Sequence, residues 1–278
     1  AFLLGGLFMP GVTSQAAAAT CSAAGEFVTT WDTTKPGVST NTQIRIPTTG
    51  SGYSYRVDIN GDGDYADTIG SWNEATNRTG IVTIDFGTPG TYTVSICGTF
   101  PRIFFNNAAA SDKSKLLRVD QWGDNVWTSM QGSFYGADNL NVTATDAPNL
   151  SATTSLRLMF RGASSLVGTS AFSSWNTSTV QDFAHMFYGA SSFNQPIGNW
   201  NTSAATTMTY MFHGATNFNQ PVGSWNVGQV TDMAHMFRYA TNFNQPLNNW
   251  DTSKVGQMTE MFREARAFNQ LATGIPVR

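Results

Sequence analysis

"MFYGASSFNQPIGNW" occupies residues 186–200, and it returns as "MFHGATNFNQPVGSW" at 211–225 and as "MFRYATNFNQPLNNW" at 236–250. A strict interval of 25 marks a chain assembled from one short unit that buries its apolar side only against its neighbours. Anchored on the Phe of the "MF" pair, the units lie at Phe134, Phe160, Phe187, Phe212, Phe237 and Phe262. Their spacings are 26, 27, 25, 25 and 25. Trp175, Trp200, Trp225 and Trp250 form a second column, and Trp122 extends it back to the first unit.

Within one unit, Val180, Phe183, Met186, Phe187 and Ala190 follow steps of three and four. That spacing predicts an amphipathic helix. Asn176, Thr177 and Ser178 precede it as capping candidates, Ser178 and Gln181 are spaced as a capping box, and Gly189 or Gly214 would end it. "FNQPI" predicts a short extended piece, because Pro196 forbids helix continuation. Gly198, Gly223 and Asn248 are residue types that tolerate positive φ, so a turn is expected there. Stacking would align Phe193, Phe218, Phe243 and Phe268 in one ladder and Ile197, Val222 and Leu247 in another. Asn194, Asn219, Asn244 and Asn269 would form an amide ladder that satisfies backbone groups of adjacent units.

Upstream the periodicity changes from three-and-four to two. "QIRI" (43–46), "YSYRVDI" (53–59), "IVTIDF" (81–86) and "TYTVSI" (91–96) alternate in polarity between Gly, Pro, Asn and Asp clusters. Short alternating strands with such punctuation predict a small antiparallel sandwich. Inside it, Asp58, Asn60, Asp62, Gly63 and Asp64 match the opening of a D-x-N-x-D-G calcium loop, with Asp67 as a further ligand. Ile69 stands where an EF-hand places its bidentate Glu, so an acidic, Gly-rich hairpin turn is the alternative reading. No other cofactor is expected.

Charged residues make up 12% of the 278, about half the roughly 25% of ordinary soluble domains. A net charge of −3 builds no basic field, which excludes nucleic acid as a partner. The opening "AFLLGGLFMPGV" is too short to span a bilayer, and Pro10 and Gly11 break a helix. With small residues around Ala17–Ala19, residues 1–19 read as the remnant of a secretory signal, leaving no transmembrane segment in the mature chain. Export makes a Cys21–Cys97 disulfide one reading of the two cysteines. Free buried thiols and a lipid anchor on Cys21 are the others, although Thr20 and the lack of Leu at position 18 fit a lipobox poorly.

Two resemblances sharpen these expectations. "VDINGDG" (57–63) and "PGTYTV" (89–94) resemble the Ig-like PKD family. "TDMAHMFRYATNFNQPLNNWDTSKV" resembles the BspA-like leucine-rich-repeat surface proteins, through V-x-x-M-x-x-M-F, F-N-Q-P and W-x-T-S over about residues 112–270. "TFPRIFFNN" and the following "KLLRVDQWGDNVWTSM" resemble that family's junction between the two parts. The expected fold class is therefore α+β and multidomain. An Ig-like β-sandwich at residues 20–105 precedes a short α/β leucine-rich-repeat-like solenoid of about six repeats of 25–27 residues at 106–278. Because the text stops at "FNQLATGIPVR", inside a unit, the array is expected either to continue or to be closed by Leu271–Arg278.

The resemblance implies a secreted or cell-surface protein that binds host or environmental macromolecules. The columns expected to face outward are Arg161, Tyr188, His213, Arg238 and Arg263, and beside them His185, Tyr210, His235 and Glu260. Such side chains suit recognition of a protein or glycan. An ordinary solvated face, in a purely architectural spacer, is the alternative. No nucleophile motif, HExxH, paired carboxylates or phosphate loop points to an enzyme.

Overall fold

The computed structural model describes Cys21, residues 25–106 and residues 111–270. The expected signal remnant at 1–19 and the closing segment 271–278 lie outside the described residues. Where apolar and polar side chains alternate, the backbone is extended. The strands are β1 (Phe27–Asp32), β2 (Gln43–Ile46), β3 (Ser54–Asp58), β4 (Thr68–Ile69), β5 (Trp72–Asn73), β6 (Val82–Asp85), β7 (Thr91–Thr99), β8 (Leu116–Gln121) and β9 (Asn141–Val142).

The principal sheet has the order β3-β7-β1-β8-β9, β2 pairs with β6, and β4 with β5. Neighbours run antiparallel except β8 and β9, which are parallel. Ile44 faces Ile84 across β2 and β6, and both join the buried cluster that holds Val57, Val94 and Ile96. Phe27, Trp127 and Trp122 carry this core toward the repeats. The Phe27 and Trp127 rings meet edge-on at 4.9 Å, and Trp122 meets Trp175 edge-on at 5.6 Å.

Strand β8 is fixed to the first hundred residues by a buried pair of charged side chains. Lys115 is 1% exposed, and its Nζ donates to the carbonyls of Ser39, Thr40 and Gln43 at 3.1, 2.7 and 2.9 Å and to Ser39 Oγ at 2.8 Å. Asp112 accepts the N–H groups of Val38, Ser39 and Arg45. A buried ammonium and carboxylate are tolerated because nearly every proton and lone pair has a partner.

Downstream, each unit hands alternate amides to the next. The N–H groups of Phe183, His185, Phe187 and Gly189 donate to the carbonyls of Thr207, Thr209, Met211 and His213 at 2.7–3.1 Å. The amides between them turn back within the unit, Met186 to Phe183, Tyr188 to His185 and Ala190 to Phe187. Single parallel bridges join Ser155, Asp182, Thr207, Asp232 and Gln257 in succession. Phe134, Phe160, Phe187, Phe212, Phe237 and Phe262 stack at 5.5–5.8 Å, and Phe193, Phe218, Phe243 and Phe268 at 5.9–6.1 Å. Asn194 Oδ1 accepts the N–H of Asn219, Asn219 that of Asn244, and Asn244 that of Asn269.

This architecture corrects the expected fold class, which does not hold. The chain is neither a β-sandwich followed by an α/β leucine-rich-repeat solenoid nor α+β. The described residues contain no α-helix, and their helical content is two 3-10 segments, Lys113–Lys115 and Ser170–Ser174. The helix expected over 180–190 is a run of turns. An α-helix sends its N–H groups four residues back, whereas half of these leave for the neighbouring unit. His185, at φ 58°, breaks any helical run. Consecutive three-residue turns place side chains at steps of three and four just as a helix does, which is why the spacing misled. There is consequently no helix for Ser178 and Gln181 to cap. Nor is the first part a closed sandwich, since its largest sheet takes β8 and β9 from beyond residue 105.

The Gly198 column also plays a different part. Neither Gly198 nor Gly223 has positive φ. A Cβ on Gly198 would lie 2.6 Å from the Pro221 carbonyl oxygen, and one on Gly223 2.5 Å from that of Pro246. These positions need glycine for close approach between units.

Candidate functional site

The two columns expected to face outward lie side by side. Their regularity comes from the backbone. His185, Tyr210, His235 and Glu260 all take φ between 51° and 58°, and each is followed three residues later by a member of the second column. Units spaced like paired strands, about 4.8 Å apart, put planar side chains of one column in stacking contact. His185 stacks on Tyr210 at 4.7 Å, Tyr210 on His235 at 4.4 Å, and Tyr188 on His213 at 4.4 Å.

Charged groups close both ends of this ring array. At one end Glu260 receives Arg238 at 2.7 Å and Arg263 at 2.5 Å, with His235 Nδ1 at 3.4 Å. The two guanidinium groups, Arg263 foremost through its hydrogen bond, hold the Glu260 carboxyl below the usual range. At the other end, the Arg161 guanidinium lies 4.3 Å from the Tyr188 ring centre and 5.4 Å from that of Tyr135, with Nη1 3.5 Å from His185 Nδ1. Among the described residues Arg161 pairs with no carboxylate, whereas Arg157 approaches Asp182 at 4.0 Å. Burial, then repulsion from Arg161 and Arg157, pushes His185 down to about 4. Burial and Arg238 do the same to His213. Both rings are therefore neutral at ordinary pH.

Tyr135 and Tyr239 escaped the sequence reading. Tyr135 stands directly after Phe134, so it begins the column of Arg161, Tyr188 and His213 one unit earlier. Counting back 26 residues from Arg161 would have found it. Tyr239 replaces the glycine of earlier units, at φ 60°, and meets His213 edge-on at 5.5 Å.

In the acidic loop the structure separates the five expected ligands. Asp58, 1% exposed, turns inward and accepts the N–H groups of Asn60, Gly61 and Gly63 at 3.0, 2.7 and 3.1 Å. Asp62, Asp64 and Asp67 converge, with carboxylate oxygens within 4.8 Å of one another. Asn60 Nδ2 donates to Asp62 at 2.8 Å and to Asp67 at 2.9 Å. Repulsion from Asp64 leads the causes that raise Asp67, whereas hydrogen bonds lower Asp62. Cys21 and Cys97 are joined by a disulfide, with Cα atoms 5.6 Å apart.

Fold and face together define a repeat protein whose units present one continuous basic and aromatic strip. The family model described as "Mycoplasma protein of unknown function, DUF285" matches residues 102–170, 128–230 and 154–274, more than half of the 278. The chain belongs to that family. No curated protein and no solved structure matches it. The resemblance drawn to BspA-like leucine-rich-repeat proteins is thereby corrected: the family shown is DUF285, and the turn-built units lack the strand and helix that a leucine-rich repeat requires. The matches begin at residue 102, so the PKD-like resemblance of the preceding part gains no support from them. Among the described residues no helix is long and apolar enough to cross a membrane.

Proposed function

We propose that the chain is a non-enzymatic binding protein of the cell surface or extracellular space, which recognises its ligand through the strip formed by Tyr135, Arg161, Tyr188, His213, Arg238 and Arg263. The observation that carries this reading is Arg161. Its guanidinium is oriented by two tyrosine rings and has no carboxylate partner among the described residues, while Arg238 and Arg263 share Glu260. An arginine held over an aromatic ring offers a fork of donors to a planar anion beside a ring face for an apolar group. Of the two ligand classes expected, protein and glycan, this favours a saccharide bearing a carboxylate. The Cys21–Cys97 bond supports export, because disulfides persist in oxidising compartments.

A purely architectural role is the second reading, favoured by the stacking of His185, Tyr210 and His235 on one another, which already covers much of each ring. Binding of the full chain to arrays of acidic glycans, neutral glycans and matrix proteins separates the two. Saturable retention on acidic glycans, lost in Arg161→Gln with an unchanged melting temperature, is the expected result. No retention on any array, or retention indifferent to Arg161→Gln and to Tyr188, His213 and Arg238 replaced together by Ala, favours the spacer.

A further inference from the structure

Along the strip most rings cover one another's faces. Tyr210 lies between His185 at 4.7 Å and His235 at 4.4 Å, and Tyr188 between the Arg161 guanidinium at 4.3 Å and His213 at 4.4 Å. Tyr239 departs from the pile. Its plane is turned 74° from that of His213, and at 38% it is the one exposed aromatic side chain among the described residues. The four earlier units carry Gly136, Gly162, Gly189 and Gly214 at this position, all with positive φ, and Tyr239 keeps that backbone at φ 60°. A bulky side chain there is strained, and such strain collects at binding sites. Glu264 repeats the φ in the next unit, but its carboxylate is engaged by Arg266 at 3.2 Å. Arg238 orients the Tyr239 ring, with its guanidinium 5.0 Å from the ring centre and Nη2 3.4 Å from the hydroxyl.

We propose, on the reading of the strip as a glycan-binding face, that Tyr239 is its stacking platform and that the ligand is a linear polymer of acidic sugars running along the array from Arg161 to Tyr239. The C–H face of a pyranose packs on the electron-rich face of an aromatic ring, whereas a pile of rings presents its electropositive edges. Three unit spacings, about 14 Å at the spacing of paired strands, separate Arg161 from Arg238 and the adjacent Tyr239. One sugar cannot reach both ends, and a chain of several can. Each end also holds a cation in excess. Arg161 has no carboxylate partner among the described residues, and Arg238 and Arg263 share the single carboxylate of Glu260. Arg263, with its side chain 51% exposed, stands in the unit after Tyr239, whose N–H donates to the Arg263 carbonyl at 2.9 Å. Carboxylates toward both ends and a sugar ring on Tyr239 describe a uronic acid polymer rather than a single acidic sugar or a polyanion without rings.

The test is titration calorimetry of the full chain with galacturonate, its short oligomers, polygalacturonate, and polyglutamate as the polyanion without rings. Affinity should climb with oligomer length until the chain spans the strip, and polygalacturonate should be preferred to polyglutamate. Tyr239→Gly, which restores the residue of the four earlier units, should cut that preference about tenfold, the scale of an aromatic anchor, with the melting temperature kept or raised. Tyr239→Phe keeps the ring and should keep the preference. A preference unchanged in Tyr239→Gly overturns the platform, and so does its loss in Tyr239→Phe. Galacturonate bound as tightly as its polymer overturns the extended ligand, and polyglutamate bound as tightly as polygalacturonate overturns the sugar. Binding lost in Arg161→Gln but indifferent to Tyr239→Gly removes this inference and leaves the reading of the strip standing, whereas no binding to any of these probes removes both.

Discussion

Tyr188 and His213, 25 residues apart in sequence, lie ring on ring at 4.4 Å with planes 3° apart. Neither column position is determined by its own unit. The contact exists because Phe187 and Gly189, on either side of Tyr188, donate their amides to Met211 and His213 of the next unit. The strip is thus a readout of backbone register, and any change that slips one unit against the next dismantles it.

That register has a pH dependence. Folding lowers His185 and His213 from 6.5 to about 4, so on acidification the unfolded chain takes up protons before the folded one does. Stability is full above pH 6.5 and is lost as pH falls toward 4. After allowance for solvent screening of these partly exposed rings, each is worth about 1 kcal/mol. Melting curves between those pH values should show a fall in the wild type and a shallower one in His185→Gln with His213→Gln. A melting temperature flat across the window would contradict the neutral stacked histidines.

The close approach at Gly198 predicts that Gly198→Ala destabilises the chain by about 1–3 kcal/mol, as overpacking does. Gly228→Ala, where the added Cβ would approach nothing nearer than 3.3 Å, should cost less. Chemical denaturation of the two variants measures the difference, and equal midpoints would argue against the contact with Pro221.

The amide ladder predicts a cost for Asn219→Ala. It removes the acceptor of both the Asn244 N–H and Gln245 Nε2, each at 2.9 Å. A loss of about 1–2 kcal/mol is expected. Asn269→Ala, at the last described rung, should be milder in the same unfolding assay.

Lys115 offers a sharper perturbation. Lys115→Met fills similar volume but leaves the Ser39 carbonyl without its donor, takes one of two hydrogen bonds from the carbonyls of Thr40 and Gln43, and removes the cation beside Asp112, at a cost of about 2–4 kcal/mol. Amide exchange should show the loss in β2 and β8 together, because the ammonium ties the 39–43 segment to the residues that lead into β8. Exchange altered in β8 alone would refute that tie.

Much of the repeat was legible in its own text. The Phe, Trp and Asn columns fall where a 25-residue interval puts them, since identical side chains at a fixed offset must meet if the units stack. The strands of the first hundred residues follow the alternation of residues such as Ile44 and Ile46. What the text concealed was the backbone between columns. Val180, Phe183 and Met186 fit a helix and a chain of turns equally well, and what distinguishes the two is the positive φ of His185 and the destination of the His185 and Phe187 amides. Gly198 looked like a residue of positive φ, but the atom it avoids belongs to Pro221, and no local pattern reports on that distance. Of the site, both columns were readable from periodicity, whereas Tyr239 was not, because it stands in the place that glycine fills in earlier units and meets His213 only across the stack.

The relay of amides from one unit to its successor has an implication for how such genes change length. Every junction from Phe183 onward uses the same donors, the same acceptors and the same ring stack, so excising or duplicating a whole 25-residue block rejoins surfaces that already fit. Additions of a residue or two must fall outside the relay, as in the earlier units spaced 26 and 27 residues apart, where Phe134, Phe160 and Phe187 still stack at 5.5 and 5.8 Å. Large changes of length among natural versions of this chain should therefore come as whole units, with single extra residues confined to the segments between relays.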